Sequence, residues 1–214
     1  MKHTIFFGVL LFFLLAMVSC RSQNDKKSPK KTVARNVGGP CEGCEALHEF
    51  GDVRLTNTDT LPSFFMAGPK LKIVGTVYNP DKSPAENVII YVYHTDRKGI
   101  YPKKGDEKGW TRRHGYLRGW AKTNDDGMYT FFTFRPASYP NRSAPEHIHM
   151  TVKEPTTNAY YIDDIMFDDD SLLTKTIRKQ RSDRAGSGIV KLQKEDSLLI
   201  AKRDIFLGRN IPDY

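Results

Sequence analysis

The chain has 214 residues, a length that fits one domain with extensions. Hydrophobic residues make up 39% and aromatic residues 11% of it, which is enough for a core and excludes a wholly disordered protein. The formal net charge is +8, but six basic residues and one acidic residue lie between Arg21 and Asn36. Because much of the basic excess belongs to one short segment, the charge does not indicate nucleic-acid binding.

The amino terminus has the pattern of an export signal. Residues 5–18 form an apolar run of 14 residues, too short to cross a bilayer comfortably, so residues 1–19 are predicted to be a signal peptide. The segment Met17-Val18-Ser19-Cys20 resembles the lipobox of bacterial lipoproteins, which implies cleavage before Cys20 and lipidation of that cysteine. The protein is then exported and membrane-anchored, facing the periplasm or the cell surface. An ordinary secretory signal cleaved nearby is the alternative.

Two segments separate this signal from the first predicted strand. Residues 20–40 are rich in lysine, serine and glycine and are predicted to be a disordered linker. Residues 41–69 contain turn residues and prolines and are predicted to be an irregular extension. Cys41 and Cys44 lie at its start. Because an exported protein meets oxidising conditions, a local disulfide is favoured over a zinc site or a redox motif.

The rest of the chain has the pattern of β-strands. Apolar and polar residues alternate over 71–77, whereas residues 88–94 are apolar on both faces, as in a central strand. Residues 124–127, Asn-Asp-Asp-Gly, predict a hairpin turn. Further strands are predicted at 117–123, 128–134, 147–153, 160–167 and 189–192, with more β-structure in 197–207 and one short helix within 171–180. Many short strands and long loops predict an all-β sandwich over residues 70–214.

The segment with the clearest chemistry is residues 137–149. It contains Tyr139 and, further on, His147 and His149 as a His-X-His pair. Alternate residues of a strand point to one face, so the two imidazoles aim at one point, and a proline-rich loop lets the tyrosine fold back to it. Imidazole nitrogen with phenolate oxygen suits iron better than the thiolate-preferring metals. The segment therefore predicts a non-haem iron enzyme.

Several motifs in sequence order carry a family resemblance. They are Tyr93 to Tyr101, Leu117-Arg118-Gly119-Trp120, Thr123 to Tyr129, Phe134-Arg135-Pro136, Tyr139-Pro140 and Pro145-Glu146-His147-Ile148-His149. Over about residues 70–193 the chain resembles the intradiol ring-cleavage dioxygenases, which include protocatechuate and catechol dioxygenases. Residues 38–45 resemble the start of exported members of that family. The resemblance implies a β-sandwich of the intradiol dioxygenase type.

The resemblance also implies a ligand set and a reaction. The metal ligands are Tyr101, Tyr139, His147 and His149, and the cofactor is Fe(III). The substrates are a small aromatic diol of the catechol type and dioxygen, and the ring opens between the two hydroxyl-bearing carbons. The resemblance also gives Tyr139 a catalytic role, because either Tyr139 or a hydroxide on the metal accepts a substrate proton. A homo-oligomer is compatible with this assignment.

One position departs from the family pattern. Family members carry an arginine three residues before the first histidine, where this chain has Ala144. The family arginine stabilises charge on the activated ring. Arg142 is predicted to take that catalytic role, with Arg118 and Arg135 as alternatives.

A non-catalytic binding module is the competing interpretation. Residues 71–77 and the turn at 123–127 also resemble transthyretin-like and carboxypeptidase-regulatory sandwiches. Such modules have no reason to keep two tyrosines and two histidines in family order. The four ligand positions therefore favour the enzyme.

Overall fold

The computed structural model describes residues 34–66 and 68–214. The predicted signal peptide, Cys20 and most of the predicted linker lie outside these residues. Within the described residues, no helix is long and apolar enough to cross a bilayer. They are mostly β-structure with very little helix, which confirms the predicted fold class.

Eleven strands, two short α-helices and one 3-10 helix lie in the described part of the chain. The strands are β1 (Thr58–Thr60), β2 (Lys70–Tyr78), β3 (Ile89–His94), β4 (Arg118–Lys122), β5 (Met128–Thr133), β6 (His147–Lys153), β7 (Ala159–Phe167), β8 (Ile189–Val190), β9 (Leu192–Glu195), β10 (Leu198–Lys202) and β11 (Ile205–Phe206). The helices are the 3-10 helix Cys44–His48, α1 (Thr111–His114) and α2 (Lys175–Lys179). The bounds of β2 to β7 agree with the predicted strands to within one residue at each end.

The strands form two sheets around one main core. One sheet has the order β1-β5-β2-β10-β9, with β11 also paired to β2, and the other has the order β4-β3-β6-β7-β8. Leu71, Ile73 and Val77 of β2 are completely buried and belong to the same apolar cluster as Ile90 and Ile148 of the second sheet. Alternating residues thus turn one face of each sheet inward, as in a sandwich.

The predicted hairpin at residues 124–127 is wrong. This turn joins β4 to β5, but β4 pairs with β3 and β5 pairs with β2, in different sheets. The Gly127 carbonyl accepts a hydrogen bond from the Val77 N–H at 2.8 Å, so the turn packs against the end of β2. A turn signal reverses the chain, but packing against other strands decides which sheet receives the next strand.

The end of the predicted linker packs against the domain. Residues 34–40 were expected to be disordered together with the rest of 20–40, but Val37 is only 1% exposed. Its N–H donates to the Asn158 side-chain oxygen at 2.7 Å, and the Asn158 amide donates back to the Val37 carbonyl at 3.0 Å. The expectation of disorder is therefore wrong for residues 34–40.

The extension, residues 41–69, packs against both sheets, and its 3-10 helix covers the outer face of the second one. A disulfide joins Cys41 to Cys44, where the 3-10 helix begins. Ala46 and Leu47 of that helix are completely buried in a second, smaller apolar cluster with aromatic residues of β3 and β4. Strand β1 adds a parallel strand beside β5. The extension thus contains two regular elements and packs as part of the domain.

Candidate metal centre

Two histidines at the start of β6 form one side of the site. His147 is buried and His149 is half-buried, and their Nε2 atoms are 3.2 Å apart. The two rings are nearly perpendicular, with an interplanar angle of 83°. Since the residues are two apart in a strand, both side chains lie on the same face and their nitrogens converge.

Two tyrosines reach the same point from loops. Tyr101 lies in the loop after β3, and Tyr139 lies in the loop that leads into β6. The two loops cross at Gly99, which has a φ of 77° and where a Cβ atom would lie 2.0 Å from the Ser138 carbonyl oxygen. Only glycine is accommodated at this crossing, and the close approach holds the two tyrosines side by side.

The four side chains form a closed ring of oxygen and nitrogen atoms. The Tyr101 hydroxyl is 2.8 Å from the Tyr139 hydroxyl and 2.8 Å from His149 Nε2. The Tyr139 hydroxyl is 3.2 Å from His147 Nε2. The structure therefore brings together all four side chains that the sequence analysis named as ligands. We call Tyr101, Tyr139, His147 and His149 the tetrad.

Partners behind the histidines orient both rings. The His147 Nδ1–H donates to the Pro145 carbonyl at 2.7 Å, and the His149 Nδ1–H donates to Asp164 Oδ1 at 3.2 Å. With the proton on Nδ1, each neutral ring directs an unprotonated Nε2 into the tetrad. Burial lowers the pKa of His147, which favours this neutral form.

The tetrad has fewer protons than its contacts need. Four contacts close the ring, but only the two tyrosine hydroxyls carry protons into it, and none lies between the facing Nε2 atoms. Burial raises the pKa of Tyr101 above its usual value, so this phenol ionises only beside a cation. A metal ion would resolve both features, because it binds the nitrogen lone pairs and favours the phenolate.

The spacing of the donors fits a transition-metal ion. When two ligand atoms each lie about 2.0–2.2 Å from a metal ion and the angle between the two bonds at the ion is a right angle, the ligand atoms are about 2.8–3.1 Å apart. The four edges of the tetrad measure 2.8, 2.8, 3.2 and 3.2 Å. Two imidazoles and two phenolates form a nitrogen and oxygen donor set without thiolate, which suits iron. The residues present therefore fit the predicted Fe(III).

Asp164 joins the site through a bulge in β7. Asp163 and Asp164 both lie opposite His149, because the ladder between β6 and β7 shifts register between Ile148 and Met150. A bulge of this kind re-aims a side chain and is common beside active sites. Possible ligand atoms of His147, His149 and Asp164 lie within 4.8 Å of one another. Burial acts to raise the pKa of Asp164, but the hydrogen bond and charge interactions with His149, together with those of His147 and Arg181, lower it below its ordinary value, so the carboxyl group is ionised.

The sequence analysis missed Asp164. The available signal was the pair Asp163-Asp164 in the middle of the otherwise apolar strand predicted at 160–167. Adjacent charged residues in a buried strand need partners, but the sequence does not say which ones.

The predicted catalytic arginine, Arg142, is not among the residues that line the cavity in front of the tetrad. Arg142 is exposed, and its backbone N–H donates to the Tyr139 carbonyl at 2.7 Å. Arg118 is held by Glu49 at 2.6 Å, and Arg135 is paired with Glu146 at 2.5 Å. Within the described chain, none of these three arginines lines the cavity in front of the tetrad.

That cavity has a volume of about 290 Å³ and opens onto three members of the tetrad. Its lining residues are Glu42, Tyr93, Tyr101, Trp110, Arg113, His114, Tyr139 and His149. The Tyr93 ring stacks on His149 with centroids 4.4 Å apart and on His114 with centroids 3.7 Å apart. The cavity is thus a small aromatic-walled space beside a set of metal donors.

A dioxygenase family model matches residues 48–201, well over half of the chain. The chain is 25% identical over 155 residues to the protocatechuate 3,4-dioxygenase beta chain of Burkholderia cepacia, covering 68% of this chain and 63% of that one. It is 40% identical over 73 residues to catechol 1,2-dioxygenase 1 of Acinetobacter lwoffii, covering 34% of this chain and 22% of that one. The chain thus spans less than two thirds of each relative.

Solved structures share the fold. The dioxygenase domain of a dioxygenase and carbohydrate-binding protein fusion from Streptomyces sp. SirexAA-E superposes with a TM-score of 0.55 at 20% identity, covering 82% of this chain and 97% of that one. The catechol 1,2-dioxygenase of Acinetobacter sp. ADP1 gives a TM-score of 0.53 at 17% identity, covering 72% and 57%. At these identities the likeness establishes the fold.

Proposed function

This chain belongs to the intradiol dioxygenase family, and from that premise we propose that it is an Fe(III)-dependent enzyme that cleaves a catechol-type ring with dioxygen. The observation that carries the proposal is the tetrad, whose four donor atoms form a ring with edges of 2.8–3.2 Å. Fe(III) held there supplies the Lewis acidity that draws electron density from a bound diol.

The protein itself supplies orientation and a proton acceptor. The cavity of about 290 Å³ admits one aromatic ring against Tyr93, with its hydroxyls toward the tetrad. Tyr139 lies at the cavity wall on a loop, with its hydroxyl 3.2 Å from His147 Nε2 and 2.8 Å from Tyr101. As a phenolate it accepts a proton from one diol hydroxyl at its own oxygen, which leaves the diol anionic.

A metal-loading and oxygen-uptake experiment tests the proposal. We expect the purified full chain, reconstituted with iron, to be red-brown from charge transfer between tyrosinate and Fe(III). With a catechol it is expected to consume one dioxygen per ring-opened diacid formed. An iron-loaded protein that stays colourless would contradict the metal assignment. A coloured protein that consumes no oxygen with any diol would instead support the non-catalytic sandwich module.

We also propose that the chain is an exported lipoprotein anchored through Cys20. The support is the apolar run at residues 5–18 and the lipobox-like segment that ends at Cys20. The wild-type chain is expected to partition with membranes and to incorporate labelled fatty acid, and the Cys20→Ser variant is expected to lose the label. A wild-type chain that carries no lipid would leave the ordinary secretory signal as the explanation.

A further inference from the structure

The outer wall of the cavity comes from two segments outside the tetrad. One is the disulfide loop, residues 41–44, which contributes Glu42. The other is α1 with its N-cap, which contributes Trp110, Arg113 and His114. The disulfide loop therefore shapes the space in front of the metal centre and does not merely stabilise the extension.

The disulfide loop is seated firmly against α1. Gly43 is buried with a φ of 87°, and a Cβ atom there would lie 3.0 Å from His114 Nε2. The His114 ring is itself fixed, because its Nδ1 is 2.8 Å from the Tyr91 hydroxyl. The backbone on either side of Glu42 is thus held by the disulfide and by this packing, although the Glu42 side chain is exposed.

Arg113 and Glu42 are the charged residues of the cavity. Of the described residues that line it, Arg113 has the permanent positive charge and Glu42 the carboxylate, and the two form a solvent-exposed ion pair. The Arg113 guanidinium also lies 5.6 Å from the centre of the Trp110 ring. The planar guanidinium of Arg113 is therefore a cation that borders the cavity, and its partner in this structure is the carboxylate of Glu42.

The surroundings of Arg113 are basic. Arg113 also lines a second depression of about 480 Å³, together with Ile100, Tyr101, Pro102 and Lys103. The segment of residues 103–113 carries five basic and two acidic side chains. Positive surroundings of this kind attract anionic small molecules.

The exposure of the ion pair makes it exchangeable. The Arg113 and Glu42 side chains are 63% and 72% exposed, and an ion pair between exposed side chains contributes little to stability. A substrate carboxylate can therefore replace Glu42, and it gains the paired N–H groups that a guanidinium offers to a carboxylate. Glu42 then acts as a competitor for the same cation.

We infer that the enzyme prefers a single-ring diol with an anionic substituent away from its hydroxyls, and that Arg113 determines this preference by binding that substituent. The inference rests on the proposed function. A cavity of about 290 Å³ suits one ring with a small substituent, and its walls include both the exposed Arg113–Glu42 pair and three members of the tetrad, Tyr101, Tyr139 and His149.

The test compares 3,4-dihydroxybenzoate with its methyl ester, which has the same diol and no charge. Binding to the iron-loaded full chain is followed without oxygen by the change in its visible spectrum, and kcat/KM is measured by oxygen uptake. We expect the wild type to have a kcat/KM for the acid at least tenfold that for the ester. The Arg113→Met variant is expected to bring this acid-to-ester ratio close to one, and the Glu42→Gln variant is expected to raise it.

Arg112→Met is the matched control. Arg112 lies on the same helix, donates to the Glu107 carbonyl at 3.2 Å and lines neither cavity, so its replacement is expected to leave the ratio as in the wild type. A wild type without preference for the acid, or an Arg113→Met variant that keeps the preference, overturns the inference while the proposed function stands. If neither compound is bound or cleaved while catechol is, the inference alone falls; if catechol is not cleaved either, it falls together with the proposed function.

Discussion

Replacing Tyr101 with phenylalanine is expected to lower the affinity for iron by more than about 100-fold, to remove most of the visible absorption and to abolish ring cleavage. Replacement of residues that only orient a ligand costs about 10–100-fold in metal affinity, and loss of a ligand should exceed that range. The Tyr101 hydroxyl contacts two other members of the tetrad, Tyr139 and His149, each at 2.8 Å.

The substitution removes a single oxygen atom and keeps the ring. Its effect on stability should be small, because Tyr101 is half-buried and its ring still packs 5.8 Å from that of Tyr93. Burial raises the pKa of Tyr101, so the phenol becomes a phenolate ligand only when a cation is bound beside it. The effect should therefore appear in metal content and colour, with little change in the unfolding midpoint of the metal-free protein.

Tyr116→Phe is the control for this prediction. Tyr116 is also half-buried and lies beside Lys104, 5.2 Å from its ammonium, and it does not line the cavity in front of the tetrad. Its replacement should leave iron content and colour unchanged. If Tyr101→Phe binds iron as tightly as the wild type and keeps its spectrum, Tyr101 is not a ligand and the site must be assigned again.

Replacing Asp164 with leucine is expected to weaken iron binding by about 10–100-fold. Asp164 Oδ1 accepts the Nδ1–H of His149 at 3.2 Å, which keeps Nε2 unprotonated and directed at the metal. Without this acceptor the proton can move to Nε2, where it blocks the donor position. Asp164→Asn keeps an acceptor oxygen but loses the charge, so its affinity should lie between those of leucine and wild type.

Nitrogen NMR of the metal-free protein gives a second measurement for Asp164. We expect the His149 signals to report a proton on Nδ1 in the wild type and a mixture of tautomers in Asp164→Leu. Asp168→Leu removes a carboxylate one residue beyond the end of β7, where it pairs with Arg178 at the surface, and should change neither the tautomer nor iron binding. Wild-type iron affinity in Asp164→Leu would show that the bulge does not serve the site.

The strands could be predicted because their signal is local. The alternation over residues 71–77 indicates a strand with one buried face, and the apolar run at 88–94 indicates a strand buried on both faces. Neither pattern depends on which strands lie next to the segment. The hairpin at 124–127 failed because pairing is not local: the turn was identified, but the sheet that receives β5 depends on β2. Disorder was likewise expected for residues 34–40 because partners such as Asn158 are distant in sequence.

The tetrad could be predicted because the order of the motifs matches a family pattern that contains all four ligands. The residues around the tetrad could not be predicted from the sequence. Asp164 faces His149 because of a one-residue register shift, which no strand pattern reveals. Arg113 and Glu42 are 71 residues apart and meet only because a disulfide loop packs on a four-residue helix. Arg142 lies close to the tetrad in sequence, but it is exposed on its loop.

By itself, the sequence determined the fold class, most strand positions and the set of four side chains that converge. These depend on the period of each strand and on residue identity, which are properties of short segments. Only the tertiary structure decided the pairing of the strands, the carboxylate behind His149 and the charged pair that lines the cavity. These depend on contacts between distant segments, whose geometry is set by the packing of the whole core.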